Sequence, residues 1–329
     1  MTALAPALQA FFADRLLGQR AASGHTIAAY RDTFRLLLPY AAARTHTQPS
    51  ALDVADLDAP LVGAFLHHLE HDRHNGVRTR NHRLAAIHSL FHYLALRHPE
   101  HAASIQRVLA IPPKRAEHAL VTFLTEAEVA ALLEACDRTT WIGRRDHTWL
   151  LLTIQTGLRV SEVIGLSAAD LVLGVGAHVH CVGKGRKERR TPLVRPTIQV
   201  LKGWLAERQG HPDEPLFSTR TGHALSRDAI EHRLVHYVAQ ACVACPSLRS
   251  KQVSAHTLRH TAAMRLLLAG VDVAVIALWL GHEQVATTAI YLHADMTQKE
   301  RAIARTRPLG IKPGRYHPSD TVLAFLEAL

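Results

Sequence analysis

Two adjacent prolines divide this chain. Pro112 and Pro113 lie in Ile111-Pro112-Pro113-Lys114-Arg115. Neither can donate a backbone hydrogen bond, and a helix does not run through the pair. The basic residues that follow favour an exposed path, so residues 112–121 read as a linker between 1–111 and 122–329. A chain of 329 residues is long enough to build two packed cores. Beyond the linker, Thr125-Glu126-Ala127-Glu128 restarts a helix, with a capping hydroxyl and a Glu three residues later.

Residues 1–111 predict a helical bundle. Ile27, Tyr30, Phe34, Leu37 and Leu38 recur at three- and four-residue steps, as one apolar helix face requires. Leu84, Ile87, Phe91 and Leu94 repeat the pattern. Helices are expected at 5–20, 25–43, 58–72 and 79–97, with Asn75-Gly76 breaking the last pair. Arg73, Arg78, Arg80 and Arg83 crowd the entry of the fourth, a face that either grips phosphates or is simply solvated. Eleven of the 24 histidines fall here. The pairs His67 with His71 and His88 with His92 have a spacing that can bind metal on a helix. No H-E-x-x-H carboxylate accompanies them, so they read as polar surface positions.

The second segment is mixed. Helices are expected at 125–136, 143–156, 159–166, 196–208, 226–244, 257–269 and 272–280. Residues 177–194 instead predict a small β-hairpin around Gly183-Lys184-Gly185. A short terminal helix opens at Ser319-Asp320, with Val322, Leu323, Leu326 and Leu329 on one side. The expected fold is mainly α with a small β-sheet: a helical-bundle N-terminal domain, then a mixed α/β domain.

Charge narrows the partners. Lys plus Arg number 38 against 28 Asp plus Glu, a net charge of +10, and residues 1–111 alone hold 11 against 8. That excess points to a polyanion rather than to a small acidic or neutral metabolite. At 48% hydrophobic residues, wholesale disorder is excluded. Four cysteines make no disulfide framework. Cys242 and Cys245 form one C-x-x-C without a second pair at zinc spacing, and read as core-facing helix residues. The first residues carry no basic signal-peptide region, and the apolar run 266–280 is interrupted by Asp272 and too short to span a bilayer. A cytoplasmic protein without a membrane partner is expected.

Four strings carry chemistry. In Thr156-Gly157-Leu158-Arg159-Val160-Ser161-Glu162, Gly157 ends one helix and Arg159 opens the next, where free N–H groups and a guanidinium suit a phosphate. Glu162, one turn on, is placed to orient that guanidinium. In Gly183-Lys184-Gly185-Arg186-Lys187-Glu188-Arg189-Arg190 the glycines allow close backbone approach to a ligand and Lys184 can reach into a groove, although a basic hairpin turn is commonly just solvated. In His256-Thr257-Leu258-Arg259-His260, both His256 with Arg259 and His256 with His260 share a helix face. Cationic neighbours of this kind want an anion between them. The last string runs from Leu280-Gly281-His282 to Tyr291, after a Thr287-Thr288 pair suited to capping a helix.

Taken in order, Arg159, Lys184, His256-x-x-Arg259, His282 and Tyr291 resemble the active-site set of the tyrosine recombinases, the phage-integrase and Xer-type family. The Gly-Leu-Arg-x-x-Glu, His-x-Leu-Arg-His and Leu-Gly-His-x8-Tyr strings match that family's boxes, and the resemblance covers nearly the whole chain. It implies a SAM-like core-binding DNA-binding domain over 1–111 and a catalytic domain over 122–329, closing on DNA as a C-shaped clamp. Tyr291 is implied as nucleophile, forming a 3′-phosphotyrosyl link. Arg159 and Arg259 would hold the non-bridging oxygens, Lys184 would act as general acid and His282 would donate to the phosphate. His256 is the expected base toward the phenol. Arg78, Arg80, Arg83, Lys114, Arg115, Arg186 and Lys187 are candidate contacts to DNA.

The resemblance further implies site-specific cutting and rejoining of duplex DNA through a Holliday junction, in integration, excision or dimer resolution. The partner is double-stranded DNA carrying a recombination site. The assembly is a tetramer, of identical chains or shared with a related recombinase. No metal, ATP or other cofactor is expected. The 319–329 helix would dock on a neighbouring subunit or cap its own domain. The length leaves no room for an arm-binding domain, pointing to a simple Xer-like or mobile-element enzyme. The alternatives are a type IB topoisomerase or telomere resolvase, a metal hydrolase, and a non-catalytic DNA-binding accessory protein of a mobile element. An intact catalytic set argues against the last.

Overall fold

The computed structural model describes residues 2–115, 121–183, 187–282, 284 and 286–293. Its internal contacts divide it into two units, Met1–His118 and Ala119–Leu329.

The first unit is helical. Helix α1 (Leu4–Ala10) passes directly into a wider π-turn segment, Phe11–Gln19, where one regular helix over 5–20 was expected. Helix α2 (Gly24–Thr45) starts where the Ser23 hydroxyl accepts from Thr26 N at 3.2 Å. It ends at His46, whose backbone is left-handed. Asp58 caps α3 (Ala59–His71) in the same way, through Leu61 N at 2.8 Å. Helix α4 spans Val77–Ala95, and α5 spans Ala102–Leu109. Sequence periodicity does not reveal α5, because two turns are too short to establish a repeat. The core gathers Phe11, Phe34, Leu37, Phe65, Ile87, Leu90 and Phe91, with Phe11 stacked on Tyr30 and edge-on to Phe34. The predicted apolar faces therefore do point inward.

The second unit opens with α6 (Glu126–Glu134), closed by the expected Thr125–Glu128 capping box. Helix α7 (Trp141–Thr156) runs through the core, burying Trp149, Leu150, Leu152 and Ile154. It contacts α9 (Arg195–Arg208) and α11 (Ala255–Leu268). Asp146 at its centre, 0% exposed, accepts from Arg145, Trp149, Tyr237 and Arg233, so the buried carboxylate is fully engaged. Short helix α8 (Val160–Gly165) leads to a three-stranded antiparallel sheet of β1 (Leu171–Val172), β2 (His178–Val182) and β3 (Glu188–Pro192). The β2–β3 register pairs Val179 with Thr191, Cys181 with Arg189 and Val182 with Glu188. Period-two alternation thus turns Val179, Cys181 and Thr191 inward and carries Arg189 with them. Helix α10 (Arg227–Ala244) and α12 (Val273–Leu280) complete the framework, followed by α13 (Ala286–Ala289) and a 3₁₀ turn, Ile290–His293. The 319–329 helix lies outside the described residues.

Candidate active site

The site forms where α7, α11 and α12 end or begin near one another, and glycine makes that approach possible. Gly157 stops α7 in the left-handed region, at φ +68°. A Cβ there would stand 2.5 Å from Leu280 Cδ2 and 3.2 Å from Ala262 Cβ, so both dihedral and space demand glycine. Its carbonyl is thereby turned toward Arg259, whose Nη1 donates to it at 2.6 Å. Nη2 of the same guanidinium donates to Leu280 O, also at 2.6 Å. Arg259 is only 1% exposed. Burial pulls its guanidinium down to about 10, with Arg159 adding to the effect and Glu162 opposing it, so it stays charged at neutral pH.

Arg159 occupies the N-cap position of α8. Its backbone N–H donates to Glu162 Oε2 at 2.7 Å and its Nη1 to Oε1 at 3.0 Å. Nη2 reaches Gly281 O at 3.2 Å. The two guanidiniums are therefore tethered to consecutive carbonyls, Leu280 and Gly281, at the end of α12. Gly281 is itself left-handed, and a Cβ on it would meet Arg189 at 3.1 Å.

Three histidines and a tyrosine complete the cluster. Ser254 caps α11 by accepting from Thr257 N, which places His256 in the first turn rather than before the helix. His256 and His260 meet edge to face at 4.2 Å. Burial lowers His256, helped by Arg259 and Arg159. Burial also takes His260 down to about 4, with His256, Arg259 and His282 adding to it. His282 follows Gly281, and its Nδ1 is 2.7 Å from Thr288 Oγ1. Burial and the charges of Arg259, Arg159 and Arg189 bring it to about 4 as well. Tyr291, in the 3₁₀ turn, is 2% exposed and packs with Ala263, Met264, Leu267, Ile276 and Leu280. Its Oη lies 2.9 Å from His260 Nδ1. Burial raises the phenol, against the pull of Arg259 and Arg159.

The structure thus brings Arg159, His256, Arg259, His282 and Tyr291 together. Lys184 and Arg186 lie outside the described residues. The flanks of their turn are described: Gly183 N donates to Lys187 O at 2.7 Å, and a Cβ on Gly183 would fall 3.2 Å from Glu162 Oε1. Gly183, at the end of β2, therefore lies beside the carboxylate that holds Arg159.

Three participants were not assigned from the sequence. Arg189 grips Glu162 with both terminal nitrogens, a role that strand alternation would have flagged by placing it inward with Thr191. Sequence spacing shows His260 only sharing a face with His256, yet it is the histidine that meets the phenol. Thr288, which in sequence suits a helix cap, partners His282.

Among the proposed DNA contacts, Arg78 is exposed in the first turn of α4, and Arg115 and Lys187 are exposed as well. Lys114 pairs with Glu70 at 2.8 Å and remains largely exposed. Arg83 is half-buried and donates to Asp32 O at 3.3 Å. Arg80 departs from expectation. It is 6% exposed, and its Nη1 binds Asn81 Oδ1 and Pro112 O, tying the segment after α5 to α4. A guanidinium enclosed in this way is structural rather than part of a basic face. His88 likewise bonds Val108 O, whereas His67 and His71 stack on the exposed side of α3. Cys242 and Cys245 pack against the core of the second unit. Among the described residues no group of three or more His, Cys, Asp or Glu is arranged to hold a metal, and no helix is long and apolar enough to cross a membrane.

Comparison with known proteins gives the family. Residues 122–298 match the phage integrase family, and residues 9–98 match the phage integrase N-terminal SAM-like domain. The chain is 53% identical to the putative integrase/recombinase y4rC of Sinorhizobium fredii over 99% of this chain and 98% of that one. It is 30% identical to the tyrosine recombinase XerD of Pseudomonas putida over 91% and 96%. Among solved structures, the XerH site-specific recombinase bound to a palindromic difH substrate superposes with TM-score 0.69 at 24% identity, over 87% of this chain and 81% of that one. The Tn1549 transposon integrase with circular-intermediate DNA also gives 0.69, at 15% identity over 93% and 100%. The chain belongs to the phage integrase family of tyrosine recombinases.

Proposed function

We propose that this protein is a site-specific tyrosine recombinase that cuts and rejoins duplex DNA through a 3′-phosphotyrosyl intermediate and a Holliday junction. One observation carries the reading. Arg159 and Arg259 are fixed on neighbouring carbonyls, and the buried Tyr291 phenol meets His260, the residue next to Arg259 on α11. Two rigid forks beside a nucleophile are what a phosphodiester transesterification needs, because charge builds on the non-bridging oxygens at the transition state.

In this scheme Tyr291 attacks phosphorus, Arg159 and Arg259 neutralise the equatorial oxygens, and Lys184 protonates the departing 5′-oxygen. His282 Nδ1 is 2.7 Å from the Thr288 hydroxyl; the scheme takes the hydroxyl as donor, which puts the ring's proton on Nε2, where it can be presented to the phosphate. The phosphotyrosyl bond conserves the energy of the broken ester, so neither ATP nor a metal enters. The first unit serves as the SAM-like core-binding domain and the second as the catalytic domain. Arg78, Arg83, Lys114, Arg115, Arg186 and Lys187 supply backbone charge, which sets affinity and register rather than sequence choice. The active assembly is a tetramer on two duplexes in the cytoplasm, of identical chains or shared with a related recombinase. The reaction is that of a simple Xer-like or mobile-element enzyme.

Covalent trapping tests the proposal. Wild type and Tyr291→Phe are incubated in EDTA with nicked suicide duplexes drawn from DNA flanking the gene, then resolved under denaturing conditions. A shifted protein–DNA band from the wild type alone is expected. DNA binding by both proteins with an adduct from neither overturns catalysis in favour of an accessory binder.

A further inference from the structure

We infer that His260, rather than His256, is the base that takes the phenolic proton of Tyr291, and that its ring holds the phenol in place until a phosphodiester arrives. The inference rests on the recombinase reading above and assigns a residue that reading leaves unused. Its geometric basis is direct. Tyr291 Oη stands 2.9 Å from His260 Nδ1, within hydrogen-bonding range for proton transfer. The two rings meet edge to face at 5.4 Å, whereas His256 reaches this arrangement through its contact with His260.

The surroundings settle which way the proton points. His260 faces His256 and Arg259 from its own helix, His282 from the end of α12, and Tyr291 from the 3₁₀ turn. Burial, with His256, Arg259 and His282 adding to it, brings the imidazole down to about 4, so it is neutral near pH 7. Burial raises the phenol, so it is protonated there. A protonated phenol beside a neutral imidazole donates its O–H to Nδ1, and the ring carries its own proton on Nε2.

In that state, transfer to His260 is uphill, and the nucleophile is inert. A phosphodiester seated between Arg159 and Arg259 changes the balance. Burial is the larger reason an imidazolium is disfavoured at 260, and the phosphate's negative charge offsets the remaining part, the positive field of Arg259 and the neighbouring histidines. Proton transfer then accompanies attack. The Oη–H bond breaks and its proton passes to Nδ1 while the oxygen's electron pair forms the bond to phosphorus. The phosphorus–5′-oxygen bond breaks with its pair on oxygen, which takes the proton from Lys184. On rejoining, the 5′-hydroxyl gives its proton back to Lys184 as it displaces the tyrosine, and His260 returns its proton to Oη. The same contact therefore keeps the phenol unreactive without DNA and supplies the base once DNA is bound.

The test measures single-turnover adduct formation on the nicked suicide duplex. Wild type, His260→Ala and His260→Asn are each prepared with tyrosine at 291 and with a fluorinated tyrosine of lower phenol pKa. Each variant is compared with itself, so a folding loss common to both phenols cancels. We expect His260→Ala and His260→Asn to slow adduct formation by about 10²–10⁴-fold with ordinary tyrosine. DNA retention in a native gel should be unchanged, and the more acidic phenol should recover much of the rate. Wild-type rates in both variants would overturn the assignment, as would a defect equally deep with either phenol, which marks a packing role. Absence of adduct from the wild type would instead overturn the recombinase reading, and this inference with it.

Discussion

Arg189 and Glu162 meet as a two-point fork, with Nη1 2.8 Å from Oε1 and Nη2 2.7 Å from Oε2. The same carboxylate receives the backbone N–H and Nη1 of Arg159. One buried acid therefore joins the β-hairpin that carries Lys184 in sequence to the arginine at the start of α8. Burial works against its charge. The hydrogen bonds from Arg189 and Arg159 and their charges more than offset that, holding Glu162 below the usual carboxylate range.

Removing one partner of such a pair leaves the other charged and enclosed, which typically costs about 3–5 kcal/mol. Glu162→Gln is expected to lower the urea midpoint of the second unit by a loss of that order. All four tryptophans lie in that unit, so their fluorescence reports it alone. Arg189→Lys keeps the charge and loses the fork, and should fall between wild type and Glu162→Gln. In both, adduct formation should drop more than DNA binding, because Arg159 loses its orientation and not its charge. An unchanged midpoint in Glu162→Gln would show that the fork contributes nothing to stability.

Gly157→Ala tests the close approach of α7 and α12. A non-glycine residue held left-handed costs about 1–2 kcal/mol, and its Cβ would also stand 2.5 Å from Leu280 Cδ2. Relief requires moving either the Gly157 carbonyl or Leu280, and Arg259 hangs on both. The expected outcome is a destabilised second unit and cleavage reduced at least tenfold, read by fluorescence and by covalent trapping. Gly165→Ala is the control: a Cβ there meets nothing within 4 Å, and stability should change little.

Acid should weaken the second unit through its site histidines. His260 and His282 sit at about 4 in the folded state, against roughly 6.5 in an unfolded chain. Between those values the unfolded state binds more protons, so stability falls as pH drops from about 6.5 to about 4, then levels. His256 moves in the same direction. Urea midpoints taken by tryptophan fluorescence between pH 7.5 and 4.5 should show this decline. The double variant His260→Gln, His282→Gln should flatten it. An equally steep decline in the double variant would assign the acid sensitivity to other groups.

The apolar periodicities, the proline break and the glycine-punctuated strings made most of the helices legible, along with the residues that converge at the site. Those signals are local, and each has a fixed period or offset. What stayed hidden depends on tertiary pairing. Arg80 follows the same basic cluster as Arg78, yet it turns inward to a carbonyl 32 residues away. Arg189 sits in a run of charges that reads as a solvated turn until strand register places it opposite Cys181. His256 and His260 share one helix face, and only the fold shows which of them meets the phenol. Tyr291 arrives from a turn 31 residues later, a distance no helical spacing encodes.

Thr288→Val examines how His282 is held. The Thr288 hydroxyl is 2.7 Å from His282 Nδ1 and buried. Valine keeps the shape and removes the hydroxyl, leaving Nδ1 without that partner. The direct cost to stability should be about 1–3 kcal/mol, that of leaving a buried polar atom unpaired. The larger effect falls on the tautomer. Without a donor at Nδ1, the proton no longer has a reason to stay on Nε2, and the ring presents it to the phosphate only part of the time. Single-turnover cleavage should therefore fall several-fold while DNA retention in a native gel is unchanged. Thr288→Ser, which restores the hydroxyl, should recover most of the rate. If serine and valine are equally impaired, the methyl packing of Thr288 is what matters, and the hydrogen bond to His282 has no part in orienting the ring.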